Sequence, residues 1–314
     1  MLLTFDPVFF KVSKNITNLK YLDTIERIDS YFFRECKGLI IRLGFNISKD
    51  FLQQFHQLEF VATITTGLDH IDTSYCAENG IQIVSLKGEV EFLSEIHATP
   101  EHTWGLLLSL IRKLPNAYNS VKDEVWDRNL FYGEELYQKT LGIIGFGRVG
   151  KILSQYAFAF GMKVIIYDSE IIKENEFKVQ QVSLDQVLSK SNVISLNLPL
   201  DGSTKGYINE KHFLKMEQSP WFINTARGGI VDEDALLKAL NMGHIRGAAL
   251  DVLSNEVSFV EKKAENPLIQ YMNSNENLII TPHISGTTDE SMRKTALFIE
   301  NKILNNFTKF GRSI

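Results

Sequence analysis

Three observations predict an α/β fold built on parallel sheets. Short apolar or β-branched runs alternate with helical patterns along most of the chain, the order expected when helices connect parallel strands. A glycine-rich turn, GFGRVG from Phe146's neighbour Gly145 to Gly150, stands directly between an apolar strand pattern and a helical one. The last helical pattern, Asp289 to Asn305, has no strand beyond it, so it is free to return to the first domain and make that domain discontinuous. A length of 314 residues suits two domains better than one core.

In chain order, GLIIRL (Gly38 to Leu43) and EFVATIT (Glu59 to Thr65) read as early strands separated by the amphipathic DFLQQFHQL. Thr99-Pro100-Glu101 offers a helix start, with threonine as N-cap, proline at the first helical position and an acid in the first turn. That apolar helix should run to about Leu114, and a polar connection containing aromatic residues should follow Pro115. Strand patterns then recur in LGII before Gly145, KVIIY (Lys163 to Tyr167), NVISLNL (Asn192 to Leu198), WFINT (Trp221 to Thr225), RGAALDV (Arg246 to Val252) and LII (Leu278 to Ile280). They suffice for a complete dinucleotide-binding sheet.

The totals exclude several function classes. Hydrophobic residues at 44% and charged residues at 23% describe a chain able to bury a substantial core. A net charge of -5 offers no basic stripe for nucleic acid or an anionic membrane. Cys36 and Cys76 show no C-x-x-C spacing, so no disulfide framework and no metal are expected, and a reducing cytoplasm fits. The start, MLLTFDPVFFKVSK, lacks a basic leader and meets Asp6-Pro7 at once, against a signal peptide. WGLLLSLI (Trp104 to Ile111) is too short to span a bilayer.

In the glycine turn, Gly145 allows the tight bend, Gly147 lets backbone approach a pyrophosphate and Gly150 lets helix pack on strand. Asp168 ends the next strand pattern, where a carboxylate can take both ribose hydroxyls of an adenosine and repel a 2′-phosphate, so NAD is favoured over NADP. In NTARGGIVDE, Arg227 follows a strand end and can hold a carboxylate in bidentate fashion; the ordinary alternative is a surface salt bridge to Asp232 or Glu233. GAALDVLSNE places Asp251 at a strand end with Glu256 five residues on, and a carboxylate near a histidine can orient it and raise its basicity. In NLIITPHISGTT, Pro282 removes a ladder donor, which leaves His283 at the carboxyl end of a strand, the edge where open α/β sheets keep their ligands.

Together GFGRVG with Asp168, NTARGGIVDE, GAALDV with Glu256, and TPHISG resemble the D-isomer-specific 2-hydroxyacid dehydrogenase family, from about Gly38 to the C-terminus. TTGLDHID (Thr65 to Asp72) is similar to the substrate loop of its phosphoglycerate and hydroxypyruvate-glyoxylate branch. The resemblance implies two Rossmann-like domains: a flavodoxin-like, discontinuous substrate domain over 1–98 and 287–314, and an NAD-binding doubly wound sheet over 99–286. It implies a catalytic Arg227, Glu256 and His283, with Gly67 and Leu68 offering backbone N–H groups to the substrate carboxylate. It also implies cofactor contacts at Thr103, Arg148, Val149, Asp168, Leu198, Thr225, Ala226, Asp251 and the turn from His283 to Gly286. Val257 replaces the proline the family usually has after its glutamate, and SLKGEVEFLSEIHATPEHTW replaces its Asn-x-Pro-Gly turn.

The expected activity is therefore NAD-dependent interconversion of a small D-2-hydroxy acid and its 2-oxo acid. Two alternatives are an NAD(H)-binding regulatory or scaffold protein on the same fold, and a formate dehydrogenase-like enzyme. An intact Arg, Glu and His set disfavours the first; an acid at Glu256 disfavours the second, because formate has no hydroxyl proton to remove. A homodimer through the NAD-binding domain is expected, from the apolar helix carrying Trp104, Leu106, Leu107, Leu108, Leu110 and Ile111, from the arm with Trp126, Phe131 and Tyr132, and because relatives associate there. No regulatory domain is expected after the last helix. Arg42 and Lys87 would face the cleft and bind a polar or anionic far end of the substrate.

Overall fold

The computed structural model describes residues 1–172, 178–254, 256 and 266–308. The chain divides into two compact units, Met1–Ile96 with Thr287–Ile314, and His97–Gly286. The division by contacts falls between Ile96 and His97, the N-cap position of a helix that begins at Ala98.

The first unit is one parallel sheet of β1 (Leu2–Thr4), β2 (Leu19–Tyr21), β3 (Gly38–Ile41), β4 (Phe60–Thr63) and β5 (Gln82–Val84), in the order β2-β1-β3-β4-β5. This is the flavodoxin-like strand order. The three inner strands are buried on both faces, which is why they read as unbroken apolar runs; the edge strands are not. Asp6 caps the helix Pro7–Val12 through the Phe9 N–H. The closing helix, Asp289–Thr308, puts Ala296, Ile299 and Ile303 into one core with Leu2, Phe9 and Phe60. Glu300, buried on the same helix, accepts from Ser13 Oγ at 2.7 Å and from Asn15 N–H at 2.9 Å, so the chain's end is fastened to its beginning.

The second unit is a parallel sheet of β6 (Thr140–Ile144), β7 (Lys163–Tyr167), β8 (Gln180–Gln181), β9 (Val193–Leu196), β10 (Trp221–Asn224), β11 (Gly247–Leu250) and β12 (Leu278–Ile280). Its order, β12-β11-β10-β9-β6-β7-β8, reverses direction between β6 and β9, the switch point of a doubly wound dinucleotide-binding sheet. The helix Ala98–Ile111 lies against one face; its Trp104, Leu107 and Ile111 share a core with Leu141, Ile143 and Val193.

Three expectations change. Thr99 is not an N-cap: the helix starts two residues earlier than expected, with His97 at the N-cap position, and Pro100 sits at its third position, where the backbone N–H needs no intrahelical partner. The segment after Pro115 is not simply a connection, since Leu114–Lys122 forms a helix with the proline in its first turn and Lys113 (φ 52°) making the corner. Finally, the apolar helix does not hold surplus surface, because Trp104, Leu106, Leu107, Leu110 and Ile111 are buried within the chain. Exposed apolar surface lies on the following arm instead, where Trp126 is 88% and Tyr132 77% accessible.

Candidate active site

The turn after β6 separates the roles of its three glycines. Gly145 has φ +90°, and a Cβ there would lie 2.7 Å from Asn197 O and 3.0 Å from the Leu198 side chain. A Cβ on Gly150 would meet Gly145 O at 2.6 Å, so the helix Arg148–Ala159 packs on the loop only without one. Gly147, the N-cap of that helix, has nothing within 4 Å of where its Cβ would be. The chain itself therefore requires the first and third glycines, while the second leaves open space at the N-terminus of the helix, as an approaching pyrophosphate needs. Asp168 follows β7, and its Oδ2 accepts the Phe146 N–H at 2.7 Å while Oδ1 accepts the Glu170 N–H at 3.0 Å. A carboxylate fixed against the glycine turn, beside open space over Gly147, fits an adenosine ribose and pyrophosphate. Burial pushes the half-buried Arg148 guanidinium down from its ordinary value, though arginine stays charged at neutral pH.

Arg227, Glu256 and His283 leave the carboxyl ends of three adjacent strands, β10, β11 and β12. His283 Nδ1 is 2.6 Å from Glu256 Oε2, and Glu256 Oε1 accepts the Leu253 N–H at 3.0 Å. Arg227 Nη1 donates to Ala226 O at 2.8 Å. Of the two carboxylates near it in sequence, Asp232 caps the helix Glu233–Met242 through the Ala235 N–H, and Glu233 accepts the Ser254 N–H at 2.6 Å. Val257 and the charged stretch to Glu265 lie outside the described residues.

His283 has φ +54°, in the left-handed region that histidine enters more readily than most side chains. Its N–H donates to Asp251 O and Thr281 O, both at 2.9 Å. Asp251, 0% exposed, receives Thr281 Oγ1 at 2.6 Å and Ile284 N–H at 2.9 Å on Oδ1, and Ser285 N–H at 2.7 Å on Oδ2. Burial pushes the Asp251 carboxyl up, but the hydrogen bonds from His102, Thr281, Ile284 and Ser285 together hold it below its ordinary range. Thr103 Oγ1 meets Thr225 Oγ1 at 2.7 Å, so two expected cofactor contacts also bond to each other.

In the first unit, Arg42, the Gly67-Leu68 segment and Lys87 follow β3, β4 and β5, on one edge of the sheet. Thr65 Oγ1 donates to Gly67 O at 2.8 Å and meets Thr63 Oγ1 at 2.9 Å, which stiffens the loop. Among the described residues the Gly67 and Leu68 N–H groups bond to nothing. Arg42 lines a cavity of about 260 Å³ together with Lys11, Arg293, Asp6 and Asp289. Lys87, exposed, is not among the residues lining it.

Residues 104–285 match the family model described as D-isomer specific 2-hydroxyacid dehydrogenase, NAD binding domain. The chain belongs to this family. It is 34% identical over 269 residues to the D-3-phosphoglycerate dehydrogenase of Bacillus subtilis, covering 85% of this chain and 49% of that protein. To the hydroxypyruvate reductase of Thermotoga maritima it is again 34% identical over 269 residues, covering 86% of this chain and 84% of that one. The D-lactate dehydrogenase of Aquifex aeolicus, solved with NAD and lactic acid, superimposes with a TM-score of 0.85 at 30% identity, covering 98% of this chain and 95% of that one. The chain spans about half the length of the curated phosphoglycerate dehydrogenases that it matches.

Two residues escaped the sequence reading of this dehydrogenase-family site. Gly228 is required because a Cβ there would lie 2.0 Å from the Leu253 carbonyl carbon, so only glycine lets the Arg227 segment pass the strand of chain leading to Glu256. Glu233 anchors that same stretch from the other side. The Gly-Gly pair after Arg227 was a visible signal for the first; nothing local signalled the second.

Proposed function

We propose that the chain is an NAD-dependent oxidoreductase that interconverts a small D-2-hydroxy acid and its 2-oxo acid. The observation that carries this reading is the 2.6 Å contact of His283 Nδ1 with Glu256 Oε2 at the carboxyl edge of a dinucleotide-binding sheet. With Glu256 accepting at Nδ1, Nε2 is the nitrogen left for a substrate. His283 takes the proton of the substrate hydroxyl in oxidation and returns it in reduction, while Glu256 holds the ring in place. Arg227 holds the substrate carboxylate and polarises the carbonyl oxygen. NAD, when bound, accepts or supplies the hydride at the substrate's second carbon. Gly145, Gly147 and Gly150 with Arg148 and Val149 would cradle its pyrophosphate and Asp168 its ribose. Thr103, Leu198, Thr225, Ala226, Asp251 and Gly286 complete the assigned contacts.

A regulatory dinucleotide binder has no use for a paired proton carrier, and formate offers none to carry, so the same contact supports the hydroxy-acid reading over both. The test is a panel of 2-oxo acids with NADH: NADH consumption with at least one is expected, and consumption with none, or NAD reduction by formate alone, would overturn the reading.

From the first unit, the N–H groups of Gly67 and Leu68 are assigned to the substrate carboxylate, and Arg42 and Lys87 to a polar or anionic far end. The cavity that Arg42 shares with Lys11 and Arg293 supports Arg42 more than Lys87. Arg42→Ala should then raise KM for a glycerate or phosphoglycerate derivative far more than for pyruvate or glyoxylate; an equal loss for all would refute this.

A homodimer through the NAD-binding unit rests on the exposed arm with Tyr118, Trp126, Leu130 and Tyr132; a monomer mass by light scattering at micromolar concentration would refute it. Among the described residues no helix is long and apolar enough to cross a membrane. A cytoplasmic setting is proposed from Cys36 and Cys76, both free and buried; burial pushes the Cys36 thiol up to about 11.

A further inference from the structure

We propose that His102 is a positioning residue for this reaction, clamping the Asp251–Thr281 pair that holds His283 in its left-handed turn. The inference rests on the proposed role of His283 but concerns a side chain that no motif of the family resemblance included.

A left-handed conformation is unfavourable for an L-residue other than glycine, so His283, at φ +54°, must be held in it. The holding group is Asp251. Its backbone oxygen accepts the His283 N–H, and its carboxylate accepts the next two backbone N–H groups, of Ile284 and Ser285. The turn wraps around this one residue, and the carboxylate is itself steered by Thr281, whose hydroxyl stands 2.6 Å from Oδ1.

His102 Nε2 lies 3.1 Å from Thr281 Oγ1 and 3.3 Å from Asp251 Oδ1. The Thr281 hydroxyl has one proton and spends it on Asp251, so toward His102 it can only accept. The carboxylate can only accept as well. Nε2 therefore carries a hydrogen, shared between the two oxygens. Removing it takes away the donor that the Thr281 oxygen accepts and takes a donor from a carboxylate with no access to water, the situation in which a lost partner costs most.

The neighbouring side chain does the corresponding work for the other half of the site. Thr103 Oγ1 meets Thr225 Oγ1, two residues before Arg227. Consecutive residues in the helix Ala98–Ile111 thus tie it to the strand ends that lead to His283 and Arg227.

The experiment compares the wild type with His102→Phe, which keeps a ring but no donor, and His102→Gln, which returns an N–H near the Nε2 position. His283 is observed by ¹⁵N NMR of its imidazole in protein without substrate, and kcat and KM are measured with NADH and a 2-oxo acid. In His102→Phe the hydrogen-bonded Nδ1 signal of His283 should be lost, and kcat should fall about tenfold or more. His102→Gln should restore both. A wild-type His283 signal and kcat in His102→Phe would overturn the inference, as would His102→Gln failing as badly as His102→Phe. Should His102→Phe not fold, His102→Asn, whose amide is too short to reach, takes its place with the same expected losses. If the wild type turns over no 2-oxo acid, the functional reading fails, and the imidazole spectra still decide whether His102 holds His283.

Discussion

His283 Nδ1 stands 2.6 Å from Glu256 Oε2, and the other oxygen of Glu256 is held by the Leu253 N–H at 3.0 Å. Both oxygens of the carboxylate are thus engaged, and the imidazole has one orientation. Glu256→Gln keeps an acceptor for Leu253 but turns an amide toward Nδ1, which favours the opposite tautomer and leaves Nε2 unable to act as a base. Turnover of a 2-hydroxy acid should fall by about 10- to 100-fold, with NAD affinity unchanged in a fluorescence titration. Turnover within twofold of wild type would separate Glu256 from the proton carrier, twofold being roughly the error of such a comparison.

The glycine turn makes a paired prediction. Gly150→Ala places a Cβ 2.6 Å from the Gly145 carbonyl and should lower the melting temperature. Gly147→Ala meets nothing among the described residues, so the fold should survive, yet NADH binding should weaken by about tenfold or more because the methyl group would occupy the approach proposed for the pyrophosphate. Normal NADH affinity in Gly147→Ala, by titration, would place the cofactor elsewhere.

At the adenosine end, the Asp168 carboxylate is fixed by the Phe146 and Glu170 N–H groups and cannot easily swing away from an added phosphate. NADH should be preferred over NADPH by on the order of tenfold in kcat/KM, and Asp168→Ala should erase most of that preference. Equal kcat/KM for the two cofactors in the wild type would count against the assignment.

Asp6 gives a prediction about pH and stability. It is fully buried, Oδ1 accepts the Phe9 N–H at 2.7 Å, and among the described residues Oδ2 has no hydrogen-bond partner. Burial pushes its carboxyl up, against the weaker downward pulls of the Phe9 and Val8 N–H groups and Arg42. A carboxyl raised in the folded state stabilises the protein fully below its unfolded value of 3.8 and loses that contribution as pH rises through the folded value. Asp6→Asn stays neutral and still caps its helix, so its melting temperature relative to wild type should be higher at about pH 7 than at about pH 4. A difference independent of pH would show that Asp6 titrates alike in both states.

Much of this fold was legible because inner strands of parallel sheets are apolar throughout: GLII, FVAT, VISL and GAAL announce themselves. Gln180–Gln181 did not, being two polar residues at an edge, nor did the three-residue strands Leu2–Thr4, Leu19–Tyr21 and Gln82–Val84. For the candidate site, residue types at strand ends made Arg227, Glu256 and His283 candidates, and the family resemblance implied their roles. What held them in place could not be read. The left-handed conformation of His283 falls on a residue other than glycine, and Asp251, Thr281 and His102 meet across as many as 179 positions of chain. Contacts of that separation leave no local pattern.

The account stands on His283 as the proton carrier, and the most direct measurement is single-turnover oxidation of bound NADH by a 2-oxo acid in wild type and His283→Asn. Asparagine tolerates the left-handed conformation at position 283, so the turn around Asp251 should persist while the titrating ring is gone. The predicted result is an NADH dissociation constant like that of the wild type and a chemical step slowed by roughly 100-fold or more. A chemical step as fast as in the wild type would contradict the account, because another group would then be carrying the proton.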